Sequence, residues 1–128
     1  MLNRDGISTT TFGAPKQILA NVELQSSVGC VVPASLGVTV GTKKIAKAGT
    51  PIKVDLMNRN TAVIKADGTN AMNAVLLHDV DVTAGNANGT ALIFGFVNVN
   101  RVDSDVAAAI TTALTATGRS TLITFIKA

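Results

Sequence analysis

The sequence has no tryptophan and no tyrosine, and its aromatic share of 3% is carried by four phenylalanines. An exposed aromatic platform for stacking bases or sugars is therefore not expected. A single cysteine excludes an internal disulfide and a cysteine-rich zinc knuckle, and a single histidine leaves little for a transition-metal site. Cys30, beside Val31 and Val32, reads as a small buried hydrophobe. Charge is also scarce, at 15% of residues against 47% hydrophobic, a balance that excludes disorder of the whole chain. The longest smooth apolar stretch, residues 106–114, is broken by two threonines and falls far short of the roughly 18 residues of a spanning helix. No membrane partner is expected. The start, Met1 to Gly6, is polar and charged, so no secretory leader is expected and the default is a protein made in the cytoplasm.

What is present is an apolar mass of Ala, Val, Ile and Leu in 128 residues, enough for one ordinary domain or one domain plus an arm. The net charge of +3 is unevenly spread. Lys43, Lys44, Lys47, Lys53, Arg59 and Lys65 face only Asp55 in one stretch, whereas Asp67, Asp79, Asp81, Asp103 and Asp105 face only Arg101 in the next. Such halves can pair internally, or head to tail between copies of the chain. The basic residues are spread over 23 positions without clustered arginine, so nucleic acid is not an expected partner.

Residues 1–17 carry no clean period: Leu2, Ile7, Phe12 and Pro15 stand isolated among Gly, Ser and Thr. They read as an arm that orders on something else. Fully extended, such an arm reaches roughly 55 Å, and ordering it costs about 1–2 kcal/mol per residue, so a partner must supply many backbone hydrogen bonds. Residues 18–128 read as a β-rich domain. Val22 and Leu24 alternate over 21–24, and Gly29 to Val32 runs into Pro33, which favours a turn or an edge strand. Val38 and Val40 alternate, and Ile52, Val54 and Leu56 predict a half-buried strand with Lys53 and Asp55 facing outward. Ala48-Gly49-Thr50-Pro51, 58–60 and 67–70 are turn signals, and Val63-Ile64 is a short strand candidate.

Val75-Leu76-Leu77 predicts a fully buried strand leading into 78–82. A Gly/Asn/Ala loop over 85–89 then joins it to a long strand over 91–99, and the pair reads as a hairpin. Gly95 in that long strand invites a bulge or a close backbone approach. One helix is predicted from about Asp103 to Thr117, capped by Asp103 or Ser104, with Val106, Ala109, Ile110, Ala113 and Leu114 on one face and Gly118 as its stop. A strand over 121–126 closes the chain. The fold class is mainly β, with seven to nine short strands and a helix near the C-terminus.

No glycine-rich phosphate loop, dinucleotide fingerprint or nucleophile elbow is present. His78-Asp79-x-Asp81 is the only cluster of catalytic residue types, but a strand sends positions 79 and 81 to one face and 78 to the other. No metal, cofactor or enzymatic activity is expected from it. A smooth, charge-asymmetric β domain with an arm suits a component that binds other proteins through geometry.

Three runs carry a resemblance: Ala48-Gly49-Thr50-Pro51-Ile52, then 74–85 (AVLLHDVDVTAG), then 90–98 (TALIFGFVN). In this order, followed by a helix and a closing strand, the chain over about 43–126 resembles the head decoration proteins of tailed phages of the lambda type. The 40 residues before it match only in character, and 26–40 has no counterpart. The resemblance implies a β-tulip or barrel-like domain, trimeric at threefold and quasi-threefold positions on the outer surface of an expanded capsid. Its implied role is to clamp neighbouring major capsid proteins against the pressure of packaged DNA. The arm, with Leu2, Ile7, Phe12 and Pro15, would add β structure to the capsid protein below. Lys43, Lys44, Lys47, Asp79, Asp81 and Arg101 are the candidate trimer or capsid contacts. The alternatives are a head-fibre base or tail-associated virion protein, and a cell-surface or glycan-binding β domain, which the lack of Trp and Tyr disfavours.

Overall fold

The structure is a computed structural model that describes residues 17–21 and 24–127. Among them the chain is mainly β, with nine strands and a single α-helix near the C-terminus. The strands are β1 (Ser26–Val32), β2 (Val38–Val40), β3 (Lys43–Ala46), β4 (Pro51–Lys53), β5 (Ile64–Lys65), β6 (Ala74–Leu76), β7 (Val80–Asp81), β8 (Ala87–Asn98) and β9 (Ile123–Ile126); the helix is α1 (Ser104–Ala113). Six strands form one sheet in the order β1-β8-β6-β4-β5 with β9 added to β8, and three form another in the order β2-β3-β7. Both sheets are open, but the larger one curls enough that the residues just before β5 reach β1, where Val63 N–H donates to Val31 O at 2.9 Å beside the Val31–Ala62 bridge.

The long strand β8 is the spine. Its first part pairs antiparallel with β1 and β6, and Gly95 to Asn98 pair parallel with β9. Pro33, which has no N–H to give a ladder, stands just past β1, at the sheet's end. The register of β1 on β8 slips by one residue between Ser26 and Ser27, leaving Ile93 unpaired two residues before Gly95 (φ +155°), where a Cβ would stand 3.3 Å from Leu92 Cδ1, 3.4 Å from Gln25 Cβ and 3.5 Å from Leu24 O. The irregularity expected at Gly95 lies two residues earlier, at Ile93.

Alternation along β6 sends side chains to two cores. Ala74 and Leu76 join a first core with Cys30, Val32, Ile52, Val54, Val63 and Val82. Val75 and Leu77 join a second with Ile18, Leu19, Met72, Leu92, Val97, Ala113 and Ile123. A strand buried on both faces reads as a continuous apolar run, which is what 75–77 is. The helix turns Val106, Ile110 and Ala113 inward at spacings of four and three, as an amphipathic helix must.

Four expectations are corrected. The segment 74–99 is not one hairpin: β6 pairs with β8, but β7 crosses to pair with β3, and β8 already begins at Ala87 inside the expected loop. The strand expected over 52–56 ends at Lys53, and Leu56 is exposed. Asp55 turns the chain there, its Oδ1 accepting from Met57 N–H at 3.1 Å and its carbonyl from Asn58 N–H at 3.1 Å. The helix stops at Ala113 rather than Thr117, leaving Leu114 38% exposed and Gly118, φ +86°, in a later turn. Thr111 and Thr112 bond back to the carbonyls of Ala107 and Ala108, and Thr115 to that of Thr112, a competition that weakens the helix end. Asp103 occupies the N-cap position without a side-chain cap bond. Leu24, expected on a strand, is exposed at a bend where its N–H donates to Asn21 Oδ1; residues 22 and 23 lie outside the described residues.

Candidate interaction surface

The turn 48–50 joins the two cores, and it is specified residue by residue. Gly49 has φ +93°, and a Cβ there would stand 2.5 Å from Val102 Cγ1 and 3.1 Å from Val106 Cγ1, so only glycine fits both the backbone and the space. Its N–H donates to Leu76 O at 2.7 Å, and Leu76 N–H donates to Thr50 O at 2.9 Å. The buried Thr50 hydroxyl donates to Lys47 O at 2.7 Å. Ala48 N–H donates to Asp79 Oδ1 at 2.7 Å, which ties the turn to the approach of β7, and Leu77 N–H donates to Thr90 O at 2.9 Å. The three runs that carry the family resemblance thus hydrogen-bond to one another in space.

The candidate contact charges gather around this unit, and most are satisfied within the chain. Lys47 Nζ, its side chain 18% exposed, lies 3.2 Å from Asp103 Oδ2 and 3.1 Å from Asp105 Oδ2. The hydrogen bonds to Asp105, then to Asp103, hold its ammonium above the ordinary lysine value. Lys43 Nζ is 3.9 Å from Asp81 Oδ2, both exposed. Asp81 is held below the usual carboxylate range by the Thr83 hydroxyl and N–H, with the Lys43 charge adding a little. Lys44 is exposed on β3, where its N–H donates to Thr83 Oγ1 at 2.9 Å. Arg101 Nη1 lies 3.5 Å from Gln17 O. Of the two pairings open to the basic and acidic stretches, the internal one is made by Lys43 and Lys47. Exposed pairs of this kind contribute little to stability, so they set local geometry more than they hold the fold.

The arm residues Leu2, Ile7, Phe12 and Pro15 lie outside the described residues. The first described residues run along β8, with Leu19 bridging Val97 and Asn98 N–H donating to Ile18 O at 2.8 Å. Ile18 is fully buried and Leu19 nearly so, both in the second core. His78 is half-buried, with Nδ1 buried and without a hydrogen-bond partner among the described residues, while Asp79 and Asp81 are engaged by Ala48 and Thr83. Among the described residues no group of three or more metal-ligating side chains is found, and no helix is long and apolar enough to cross a membrane. Burial pushes the Cys30 thiol up, away from the reactive thiolate.

The alternation of Ile52, Val54 and Leu56 concealed a surface feature, an ordered loop that holds Leu56 and Met57 outward, Met57 95% exposed. Asn73 brackets its base, its Oδ1 accepting from Val54 N–H and its Nδ2 donating to Val54 O, both at 2.8 Å. Asp55 followed by Asn58 was the available signal, since both residues favour turns over strands. No protein-family model matches the sequence, and no curated protein is similar to it.

Proposed function

We propose that this chain is a structural virion protein that decorates a phage head, binding the outer surface of the expanded capsid as trimers at its threefold and quasi-threefold positions. In that role it clamps neighbouring major capsid proteins against the pressure of packaged DNA and performs no catalysis. The observation that carries the reading is the convergence of the three resembling runs on one hydrogen-bonded unit, through Ala48 to Asp79, Gly49 to Leu76 and Leu77 to Thr90. Segments that resemble a family in order along the chain, and also meet in space, form one structural signature. The mainly β fold with one helix near the C-terminus supports the same reading. Residues 1–17, with Leu2, Ile7, Phe12 and Pro15, are the arm that adds β structure to the capsid protein below. Three arms on one trimer raise each other's effective concentration, so modest individual affinities hold together.

The test is co-sedimentation of the purified full chain with expanded capsids assembled without it, with unexpanded procapsids as control. Saturable binding to expanded shells alone is expected, with a plateau that fills the local threefold sites. Binding to neither shell overturns the proposal, and retention on tail tubes instead moves the protein to the tail-associated alternative. A chain lacking residues 1–17 is expected to stay folded and to lose capsid binding; retained binding sinks the arm assignment.

A further inference from the structure

The larger sheet ends on β1, and part of that edge is open. Val31 O accepts from Val63 N–H at 2.9 Å and Gly29 O from Arg59 Nη1 at 3.3 Å, so both residues turn their carbonyls away from β8. Alternation along an antiparallel strand puts Ser27 with them. The N–H and C=O of Ser27 and the N–H of Gly29 have no hydrogen-bond partner on this side among the described residues, and both residues are exposed. An edge of this kind is a template for another strand, and natural sheets blunt it with a charged side chain. Arg59 is that side chain here. At 3.3 Å its bond to Gly29 O is longer than the usual range of about 2.7–3.2 Å, so releasing it costs little.

Part of the basic stretch is also left unpaired beside this edge. Lys43 and Lys47 have their acids, but Lys53 and Arg59 have no carboxylate within ion-pair distance among the described residues. Arg59 lines a hollow of about 620 Å³ against β1, together with Asn58, Asn60 and Asn88. Lys53 lines the next hollow, and Leu56 belongs to both. The one acid there, Asp55, already accepts from Met57 N–H. A planar guanidinium with free donors selects a carboxylate, and the side-chain amides around it can donate to the remaining lone pairs. Backbone groups in strand register select a peptide over a nucleic acid, whose backbone offers no N–H. We infer that the open edge of β1 receives an extended acidic segment of another protein as an added strand. A backbone N–H of that segment takes over Gly29 O, and the released Arg59 engages one of its carboxylates in the hollow. The chain's own residues 1–16 carry Arg4 and Lys16 against Asp5, the wrong sign for this edge. The inference goes beyond the capsid reading and stands without it.

The probe is a set of short capped peptides in which valine alternates with glutamate and threonine, each matched by its glutamine counterpart, titrated into the full isotope-labelled chain without capsids. Saturable binding of the glutamate peptides is expected, about tenfold tighter than that of their glutamine counterparts. The amide signals of Ser27 and Gly29 are expected to move, and their hydrogen exchange to slow. N-methylation of alternate backbone nitrogens in the peptide is expected to abolish binding while leaving the protein untouched. Arg59→Gln changes an exposed side chain, so its thermal midpoint stays near wild type, and it is expected to bind both peptide sets alike. No glutamate peptide binding more tightly than its glutamine counterpart overturns the inference, as does a preference that survives Arg59→Gln, or N-methylated peptides that bind as well. An oligothymidylate that moves the Arg59 signal as far as the peptides do, with Ser27 and Gly29 unmoved, replaces the strand edge with a general polyanion surface. Capsid co-sedimentation is read separately. A chain that binds capsids and no peptide sinks this inference alone, and one that binds peptide yet ignores capsids sinks the proposed function alone.

Discussion

The two cores on either side of the β6–β8 pair are built by different means. The first is enclosed mostly by strands and the short turns beside them, from Cys30 and Val32 on β1 through Leu36 in the turn after it round to Val82 just past β7. The second is assembled from distant pieces of chain: Ile18 and Leu19 before the first strand, Met72 in a loop, Ala113 on the helix and Ile123 on the last strand. They share β6 and β8, whose alternating side chains serve both. A strand pair buried on both faces makes one core depend on the other, so a defect in either layer is felt across the sheet.

The largest effects test that dependence directly. Leu76→Ala in the first core and Leu92→Ala in the second are each expected to cost about 2–5 kcal/mol, read by urea unfolding, because both side chains are fully buried. If the layers unfold as one, Leu92→Ala also speeds modification of the Cys30 thiol, buried in the other core. A thiol that stays as protected as in wild type would show that the layers open separately.

Gly49 is the next test, since its turn runs between the layers, from Ala48 in the second core to Ile52 in the first, and the space over it is filled by Val102 and Val106. Gly49→Ala is expected to cost about 2–4 kcal/mol, from a strained positive φ and the clash together. Adding Val102→Ala relieves the clash with Val102 and leaves the Val106 contact and the positive φ in place. A full rescue by that second change would show that the backbone strain contributes nothing.

Asn73→Ala removes both bonds to Val54 and is expected to cost about 1–3 kcal/mol. The expected loosening stays within the first layer, with hydrogen exchange rising in 54–62 and not in β9. A rise in both would erase the distinction between the layers.

The smallest effect is that of pH. The raised Lys47 value means that its pairing with Asp105 and Asp103 contributes fully below the ordinary lysine value of 10.5 and is lost as pH rises through the raised folded value. Asp67 is lowered by the Asn70 and Thr69 N–H groups and Asp81 by Thr83, so their contribution is present above the ordinary 3.8 and is lost as pH falls through the lowered folded values. Stability is therefore expected to be flat through neutrality and to fall only in strong acid or strong base. Asp81→Asn flattens the acid limb when urea midpoints are compared across pH.

Much of the fold was legible where the information is local. The period of two in Val38 and Val40, the continuous apolar run 75–77, the Asp67 turn and the three-and-four spacing of Val106, Ile110 and Ala113 each fix a short stretch by its own side chains. Pro33 marked the sheet's end because a missing N–H is a property of one residue. Of the candidate surface, the turn 48–51 was readable from its glycine and proline. The partner of Lys47 was not, since Asp103 and Asp105 lie more than fifty positions away and nothing local selects them over Asp79.

The sequence by itself determined that the chain is mainly β with one late helix, that its single cysteine is a core residue, and that its catalytic residue types form no recognised motif. The tertiary structure alone decided that β7 leaves β8 for β3, that the strand from Pro51 breaks before Leu56, and that the helix yields to its threonines after Ala113. Each of those choices is a competition between local preference and a contact distant in sequence. Val80 gains the first core by pairing with Ala46, and Val54 finds in Asn73 the hydrogen bonds that a longer strand would have supplied. Local pattern specifies which residues want to be buried, and only the packed whole specifies against what.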